Sequence, residues 1–87
     1  MFYAYVLRSR IDGKLYIGHT EDLKHRLKQH NAGDVDSTRH RVPFDLVYSK
    51  EVATRSEARW QERKWKTAWG HKQLAELLGS NAGVAQG

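Results

Sequence analysis

The chain has 87 residues, enough for one small domain with a modest core, and its formal net charge is +5. It contains no cysteine, which excludes a disulfide framework, a thiolate nucleophile and a cysteine-based zinc site. No apolar run approaches bilayer-spanning length, and the first residues lack a signal-peptide pattern, so we expect a soluble protein of the cytoplasm. The basic balance favours a polyanionic partner such as nucleic acid, although many small basic domains simply have a well-solvated surface.

The first two predicted elements form a β-hairpin. Residues 2–8 alternate and are rich in aromatic and β-branched side chains, which predicts a strand whose even and odd positions face opposite sides. An Asp-Gly pair at positions 12 and 13 indicates the turn, and residues 14–18 are the predicted returning strand. Pairing of these strands would bring Tyr5 close to Tyr16.

A helix, a loop and a third strand are predicted next. Thr20 has the side chain of an N-cap and predicts a helix over residues 21–31, with Gly33 just beyond its end. A polar, basic loop over residues 34–43 then leads into a predicted strand over residues 44–52.

Two further helices complete the predicted elements. Thr54 and Glu57 have capping-box spacing, which predicts a longer helix over residues 55–69. Gly70 separates this helix from a short one over residues 71–78.

The order of these elements predicts an α+β fold with a small, mainly antiparallel three-stranded sheet flanked by helices. We expect a single domain over residues 1–78. Residues 79–87 are small and polar, with little to bury, and we expect them to form a disordered tail.

Glu62 is the most unusual side chain of the longer helix. Helical spacing places it within an otherwise core-facing stripe formed by Ala58, Glu62, Trp65 and Trp69. A carboxylate there must be paired, protonated or bound to a metal, because an unpaired buried charge is costly. One interpretation is a salt bridge to Lys66, Arg59 or Arg26. The other is a Mg²⁺ site, since Mg²⁺ keeps several waters and shares substrate phosphates.

Two pairs of residues elsewhere could act on a phosphate. Arg26 and His30 lie one helical turn apart, so the guanidinium can neutralise transition-state charge while the imidazole orients water or shuttles a proton. Tyr5 and Tyr16 could hold a phosphate, or activate water if nearby cations lower the pKa of a hydroxyl. The same residues are also compatible with a solvated helix face and with tyrosines packed on a half-buried sheet.

Other basic and aromatic side chains are candidates for contact with nucleic acid. Arg39, His40 and Arg41 of the loop, together with Lys64 and Lys66, either contact backbone phosphates or are simply solvated. Trp60 lies off the buried stripe of its helix. It is therefore either an exposed stacking platform or a side chain packed against the short final helix.

The combined pattern resembles the GIY-YIG nuclease domain over roughly residues 3–69. The first family motif corresponds to Tyr3-Ala4-Tyr5, which keeps only the final tyrosine, and the second, Tyr16-Ile17-Gly18, is intact. The family's arginine, histidine and glutamate correspond to Arg26, His30 and Glu62. The chain is most similar to the small stand-alone bacterial branch. It departs from many relatives at His19, where they have lysine.

This resemblance implies a three-stranded sheet flanked by helices, and phosphodiester hydrolysis at one divalent metal. It implies that Glu62 holds Mg²⁺, with Mn²⁺ as an alternative ion, and that Tyr16 activates the attacking water. By the same analogy, Arg26 stabilises the charge of the transition state, while Tyr5 and His30 position the phosphate, the water or the leaving group.

We therefore expect a Mg²⁺-dependent endonuclease that cleaves DNA according to strand structure rather than sequence, an activity suited to DNA repair. RNA is the alternative substrate. A protein partner could supply specificity, because family members usually borrow it from an attached DNA-binding domain. Two other functions are compatible with the residues: a non-catalytic nucleic-acid-binding module, and a structural protein whose basic face binds an acidic partner. Simple binding of nucleic acid would not require Glu62.

Overall fold

A computed structural model of the chain describes residues 1–78, with three strands and three α-helices. The strands are β1 (Phe2–Ser9), β2 (Leu15–Thr20) and β3 (Phe44–Val52). The α-helices are α1 (Leu23–Asn31), α2 (Arg55–Trp65) and α3 (Ala68–Leu77). The predicted α+β class and three-stranded sheet are confirmed. The predicted tail, residues 79–87, lies outside the described residues.

The sheet is antiparallel, and β1 lies between β2 and β3. β1 and β2 form the predicted hairpin, whose turn includes Gly13 with a φ of 71°. The register pairs Tyr5 with Gly18 and Leu7 with Tyr16. The two tyrosine rings have centroids 6.5 Å apart, so their predicted proximity is confirmed. This arrangement leaves β2 as an edge strand.

Helices cover both faces of the sheet, because β1 has buried side chains on both faces. On one face, side chains from the sheet, α2 and α3 form a core of Ala4, Val6, Ile17, Trp65 and Leu74. On the other face, side chains from the sheet and α1 form a core of Tyr5, Leu7, Phe44, Leu23 and Leu27. The alternation predicted for β1 is confirmed, and the central strand separates the two cores.

α1 begins later than predicted, because Asp22 rather than Thr20 is its N-cap. The Asp22 carboxylate accepts a hydrogen bond from the backbone N–H of His25 at 3.0 Å, while Thr20 is the last residue of β2. The predicted position of Gly33 beyond the helix is confirmed. Its φ is 79°, and its N–H donates to the carbonyl of His30 at 3.0 Å.

The predicted helix over residues 55–69 is wrong in its extent, because the chain forms two helices there. The capping box of Thr54 starts α2 as predicted, but α2 ends at Trp65. Thr67 then caps α3 by accepting a hydrogen bond from the backbone N–H of Gly70 at 3.0 Å. Gly70 is buried inside α3, where a Cβ would overlap the backbone carbonyl of Lys64. The glycine thus permits close contact between the helices.

This break changes the predicted buried stripe. Ala58 and Trp65 are buried as expected, but Trp69 belongs to α3 and is 62% exposed. Gln61 is buried in α2, which the prediction missed. Trp60 is 61% exposed, which favours the interpretation of an exposed side chain over packing against the final helix.

The loop over residues 34–43 also contains an element that was not predicted, a 3₁₀ turn at Arg39–Arg41. In the part of the chain that the structure describes, no helix has both the length and the apolar character needed to cross a membrane.

Candidate active site

Gly18 and Tyr5 form the centre of the candidate site. They are paired across β1 and β2, and a Cβ at position 18 would lie 2.5 Å from the hydroxyl oxygen of Tyr5. Any larger residue would therefore displace the tyrosine, whereas glycine permits this close approach. The glycine of the Tyr-Ile-Gly motif leaves space for the Tyr5 side chain beside the edge strand.

A chain of hydrogen bonds runs from Tyr5 into the loop that precedes β3. The Tyr5 hydroxyl lies 3.0 Å from Nε2 of His30, and Nδ1 of His30 lies 2.8 Å from Oγ1 of Thr38. The Thr38 hydroxyl in turn donates to the carbonyl of Val35 at 3.4 Å. Oγ1 of Thr38 therefore accepts from His30, and Nε2 of His30 accepts from Tyr5. This network assigns the Nδ1–H tautomer to His30.

The buried environment keeps His30 neutral. Burial, reinforced by the nearby charge of Arg26, lowers the pKa of His30 from 6.5 to about 4. Burial also raises the pKa of the Tyr5 hydroxyl, although a hydrogen bond from Arg26 and its charge oppose this effect. A neutral ring can accept the Tyr5 proton in a hydrogen bond but is a weak base. The arrangement thus favours positioning over proton shuttling by His30.

Arg26 and Tyr16 complete this side of the site. Nε of Arg26 lies 3.5 Å from the Tyr5 hydroxyl, and its Nη1 donates to Gln29 at 3.3 Å. The ring of Tyr16 packs edge-on against His30, with centroids 5.0 Å apart. Within residues 1–78, the Tyr16 hydroxyl makes no hydrogen bond to another protein group. This hydroxyl and the remaining N–H groups of Arg26 can therefore interact with a ligand.

Glu62 lies on α2 and is held by two nitrogen groups. Its Oε1 is 2.5 Å from Nδ1 of His19, and its Oε2 accepts from Nζ of Lys66 at 2.6 Å. Burial acts to raise the pKa of Glu62, but hydrogen bonds and charge from His19 and Lys66 outweigh it, so the pKa is lowered. The predicted salt bridge to Lys66 is confirmed, while the described contacts of Glu62 include neither Arg59 nor Arg26.

Glu62 and Tyr5 approach β2 from opposite faces of the sheet. Gly18 faces the α1 side, where Tyr5 lies, and the next residue, His19, faces the α2 side and meets Glu62. The negative charge of Glu62 contributes to the raised pKa of Tyr5. The two groups therefore influence each other electrostatically around the edge strand.

The environment of Glu62 fits a hard cation that retains most of its own water. Within residues 1–78, no group of three or more His, Cys, Asp or Glu side chains could hold a metal ion. However, Mg²⁺ commonly binds one or two carboxylates together with substrate phosphates. An ionised Glu62 that already attracts the ammonium of Lys66 can bind such a cation in place of Lys66 or His19.

The residues predicted to contact nucleic acid differ in their accessibility. Arg39 and His40 are exposed on the 3₁₀ turn. Arg41 is held within the protein. Its Nε donates to Asp12 at 3.1 Å, and its guanidinium packs over the ring of Phe44. Lys66 is bound to the carboxylate of Glu62. Arg39 and His40 are thus accessible, although Arg39 lies 3.8 Å from the exposed carboxylate of Asp36, whereas Arg41 and Lys66 are held by less exposed partners.

Three residues that support the site were not predicted from the sequence to do so. His19 appeared only as a departure from the family pattern, and Thr38 only as part of a basic loop. Asn31 donates to the carbonyl of Phe44 at 3.1 Å and accepts from its N–H at 2.7 Å, which ties α1 to the start of β3. A possible signal for Asn31 was its position directly after His30. The partners of all three are too distant in sequence for spacing to reveal.

Comparisons with known proteins bear on the family and the fold of this chain. Residues 1–73 match the family model of the GIY-YIG catalytic domain. A UPF0213 protein of Bacillus pumilus is 46% identical over 71 residues, covering 80% of this chain and 70% of the relative. A UPF0213 protein of Oceanobacillus iheyensis is 43% identical over 65 residues, covering 74% of each chain.

A solved structure provides a further comparison. The solution NMR structure of a UPF0213 protein from Bacillus halodurans is 34% identical, with a TM-score of 0.54, and covers 88% of this chain and 85% of that one. Together with the matched family model, it shows that this chain belongs to the GIY-YIG family.

Proposed function

We propose that this protein is a metal-dependent endonuclease that hydrolyses DNA phosphodiester bonds and selects its substrate by strand structure. The observation that carries the proposal is that three kinds of group border the same edge strand, with Glu62 on the opposite face of the sheet from the other two. These are the hydroxyls of Tyr5 and Tyr16, the guanidinium of Arg26 and the ionised carboxylate of Glu62. Membership of a nuclease family supports the same activity.

The α1 side of the site would bind the scissile phosphate. Arg26 has N–H groups beyond those used by Tyr5 and Gln29, and would stabilise negative charge as it develops on the phosphate oxygens. Tyr5 would orient the phosphate through its hydroxyl, held in position by His30. Tyr16, whose hydroxyl has no partner within residues 1–78, would first release its phenolic proton to solvent and would then accept a proton from the attacking water.

The α2 side would hold the metal. Glu62 would bind Mg²⁺, or Mn²⁺ in its place, and the lowered pKa of its carboxyl keeps the charge needed for this at neutral pH. When bound, the ion would supply Lewis-acid stabilisation and orientation of the phosphate. His19 and Lys66 already bind the two carboxylate oxygens of Glu62 that a metal would use. Their release from Glu62 would therefore accompany metal binding.

The substrate class follows from the charge and small size of the domain. A formal net charge of +5 suits a polyanion, and exposed Arg39 and His40 would contact backbone phosphates. A domain this small would distinguish unpaired strands, flaps or branches more readily than base sequence. RNA is the second candidate substrate, and an additional protein could contribute specificity.

The direct test is cleavage of labelled single-stranded, duplex and branched DNA, and of matching RNA, with Mg²⁺ or Mn²⁺. Glu62→Gln should reduce metal-dependent cleavage by about a hundredfold or more, because it removes the ionised ligand. Glu51→Gln, at an exposed carboxylate on β3, is the matched control and should leave cleavage unchanged. Circular dichroism of both variants would show that the fold is retained.

Two outcomes would contradict this proposal. Cleavage that is equal in wild type and Glu62→Gln would exclude the assigned carboxylate. Intact nucleic-acid binding without cleavage of any substrate would favour the non-catalytic module. In that function, the pairing of Glu62 with His19 and Lys66 would be purely structural.

A further inference from the structure

A second surface combines exposed indole rings with basic side chains on the outer side of α2. A shallow groove there is lined by Arg59, Trp60, Arg63 and Lys64, and Trp69 of α3 lies beside it. We call these five residues the tryptophan surface. None of them belongs to the site built around Tyr5 and Glu62.

Helix geometry separates the tryptophan surface from Glu62. Trp60 and Lys64 lie two positions before and after Glu62, and successive residues of an α-helix are about 100° apart. Their side chains therefore project from nearly the opposite side of α2. The two surfaces share one helix that is about 10 Å across with its side chains, so an extended ligand can contact both.

The indole rings are exposed and share a cation. Trp60 is 61% exposed and Trp69 is 62% exposed, whereas Trp65, the third tryptophan, is buried at 3%. Nζ of Lys64 lies 5.1 Å from the ring centroid of Trp60 and 5.7 Å from that of Trp69. One charge thus holds two large aromatic rings near each other at the surface. Exposed indoles beside basic groups are suited to stacking against a flat, negatively charged ligand.

The charge of the surface selects the ligand. Residues 55–66 include five basic and two acidic side chains. Glu57 is used in the capping box and Glu62 is bound by His19 and Lys66, so neither neutralises Arg63 or Lys64. A ligand that matches this surface has flat faces for the indoles and negative charges for the basic groups. Unpaired nucleic acid has both, whereas a duplex hides its base faces and an acidic peptide lacks regularly spaced rings.

We propose that the tryptophan surface binds a single strand of nucleic acid, with bases stacked on Trp60 and Trp69 and phosphates bound by Arg63 and Lys64. This inference rests on the nucleic-acid substrate of the proposed function but does not require cleavage. It assigns to α2 a selectivity for unpaired strands that the site at the sheet edge does not supply.

The test is binding of a short fluorescein-labelled single strand, and of the same sequence as a duplex, to the full chain in EDTA. The single strand should bind more tightly. Trp60→Ala and Trp69→Ala should each weaken its binding about tenfold, because each removes a stacking partner. Trp60→Phe should retain most of the affinity, since a smaller ring still stacks.

Charge and fluorescence provide independent readouts. Lys64→Gln should reduce the slope of log Kd against log salt by about 0.7, the value for one phosphate of a single strand. Lys28→Gln, at an exposed position on α1, is the matched control and should not change the slope. The single strand should quench tryptophan emission in wild type but not in a W60F/W69F variant. That variant retains buried Trp65 as a reporter of the fold.

Several results would overturn the inference: unchanged affinity in both alanine variants, equal affinity for single strand and duplex, or self-association that depends on Trp60 while strand binding does not. The last result would assign the surface to a second copy of the chain. Cleavage that requires Glu62 but is accompanied by Trp-independent strand binding would contradict this inference alone. Trp-dependent strand binding by a protein that cleaves nothing would contradict only the nuclease proposal.

Discussion

At the scale of single residues, the candidate site depends on residues that restrict each other's position and protonation state. Gly18 leaves space for Tyr5, and His30 accepts the Tyr5 proton in a hydrogen bond only while it is neutral. Oγ1 of Thr38 in turn accepts a hydrogen bond from the Nδ1–H of His30, and its hydroxyl donates one to a backbone carbonyl. The ring of Tyr16 also lies near His30, but its hydroxyl takes no part in this chain of hydrogen bonds. Within residues 1–78 the Tyr16 hydroxyl has no hydrogen-bond partner.

The two tyrosines should differ in their effects on cleavage. Tyr16→Phe should reduce kcat by about a hundredfold or more if its hydroxyl is the general base, and should remove the alkaline rise of the pH–rate profile. Tyr5→Phe should lower the rate but preserve the shape of that profile, because its hydroxyl orients rather than accepts a proton. Equal, small losses in both variants would exclude Tyr16 as the general base.

Thr38 should act as a positioning residue through His30. Thr38→Val leaves the Nδ1–H of His30 without its acceptor, so we expect the ring to change tautomer and cleavage to fall about tenfold or more. ¹⁵N chemical shifts of the imidazole would report the tautomer directly. Thr38→Ser keeps the hydroxyl and should restore both the shifts and the rate. Unaltered shifts in Thr38→Val would disprove the hydrogen-bond chain.

At the scale of elements, the break between α2 and α3 determines what each helix presents. α2 buries Ala58 and Trp65 against the sheet and presents Glu62 at its edge. The turn capped by Thr67 places Trp69 on α3 and outside the core. A continuous helix would have kept Trp69 on the same stripe as Glu62.

Gly70 should be essential to this junction. In an exposed helix, replacing glycine with alanine stabilises by about 1 kcal/mol. Here Gly70→Ala should instead destabilise the fold by about 1–3 kcal/mol, because its Cβ would meet the backbone carbonyl of Lys64, which cannot rotate away. Urea denaturation followed by circular dichroism would measure this. A midpoint above that of wild type would show that the helices are not in close contact.

At the scale of the whole molecule, the residues of the candidate site come from both faces of one thin sheet. α1 supplies Arg26 and His30 from one face, and α2 supplies Glu62 from the other. In the proposed function they would act together around β2, which is an edge strand of the sheet formed by residues 1–78. His30 is buried beside the α1-side core, and this burial makes the stability of the fold depend on pH.

The free energy of unfolding should fall as the pH decreases from about 6.5 to about 4, the interval over which the pKa of His30 is shifted. In that interval the unfolded chain binds a proton at His30 that the folded protein does not, so stability rises with pH. The contribution should be of the order of 3 kcal/mol. Urea denaturation across this range should show a shallower pH dependence for His30→Gln than for wild type. Identical slopes would contradict burial of a neutral His30.

The amino-acid sequence by itself determined the elements whose signals are local. Alternation predicted β1, an Asp-Gly pair predicted the first turn, and the Thr54 capping box predicted the start of α2. Sequence also predicted that Tyr5 and Tyr16 would be close, because hairpin pairing is a short-range relation. These features depend on backbone preferences and on periods that a linear pattern contains.

Only the tertiary structure decided which distant side chains meet. His19 lies 43 residues from Glu62 and Tyr5 lies 25 residues from His30, separations over which neither spacing nor propensity carries information. The end of α2 was also decided by tertiary contact. Thr67 alone is a weak local signal for the start of a new helix, but the absence of a Cβ at Gly70 allows α3 to pack against the backbone of Lys64. Hydrogen bonds and steric contacts act through space, so the folded chain alone determines the partners of Glu62 and His30.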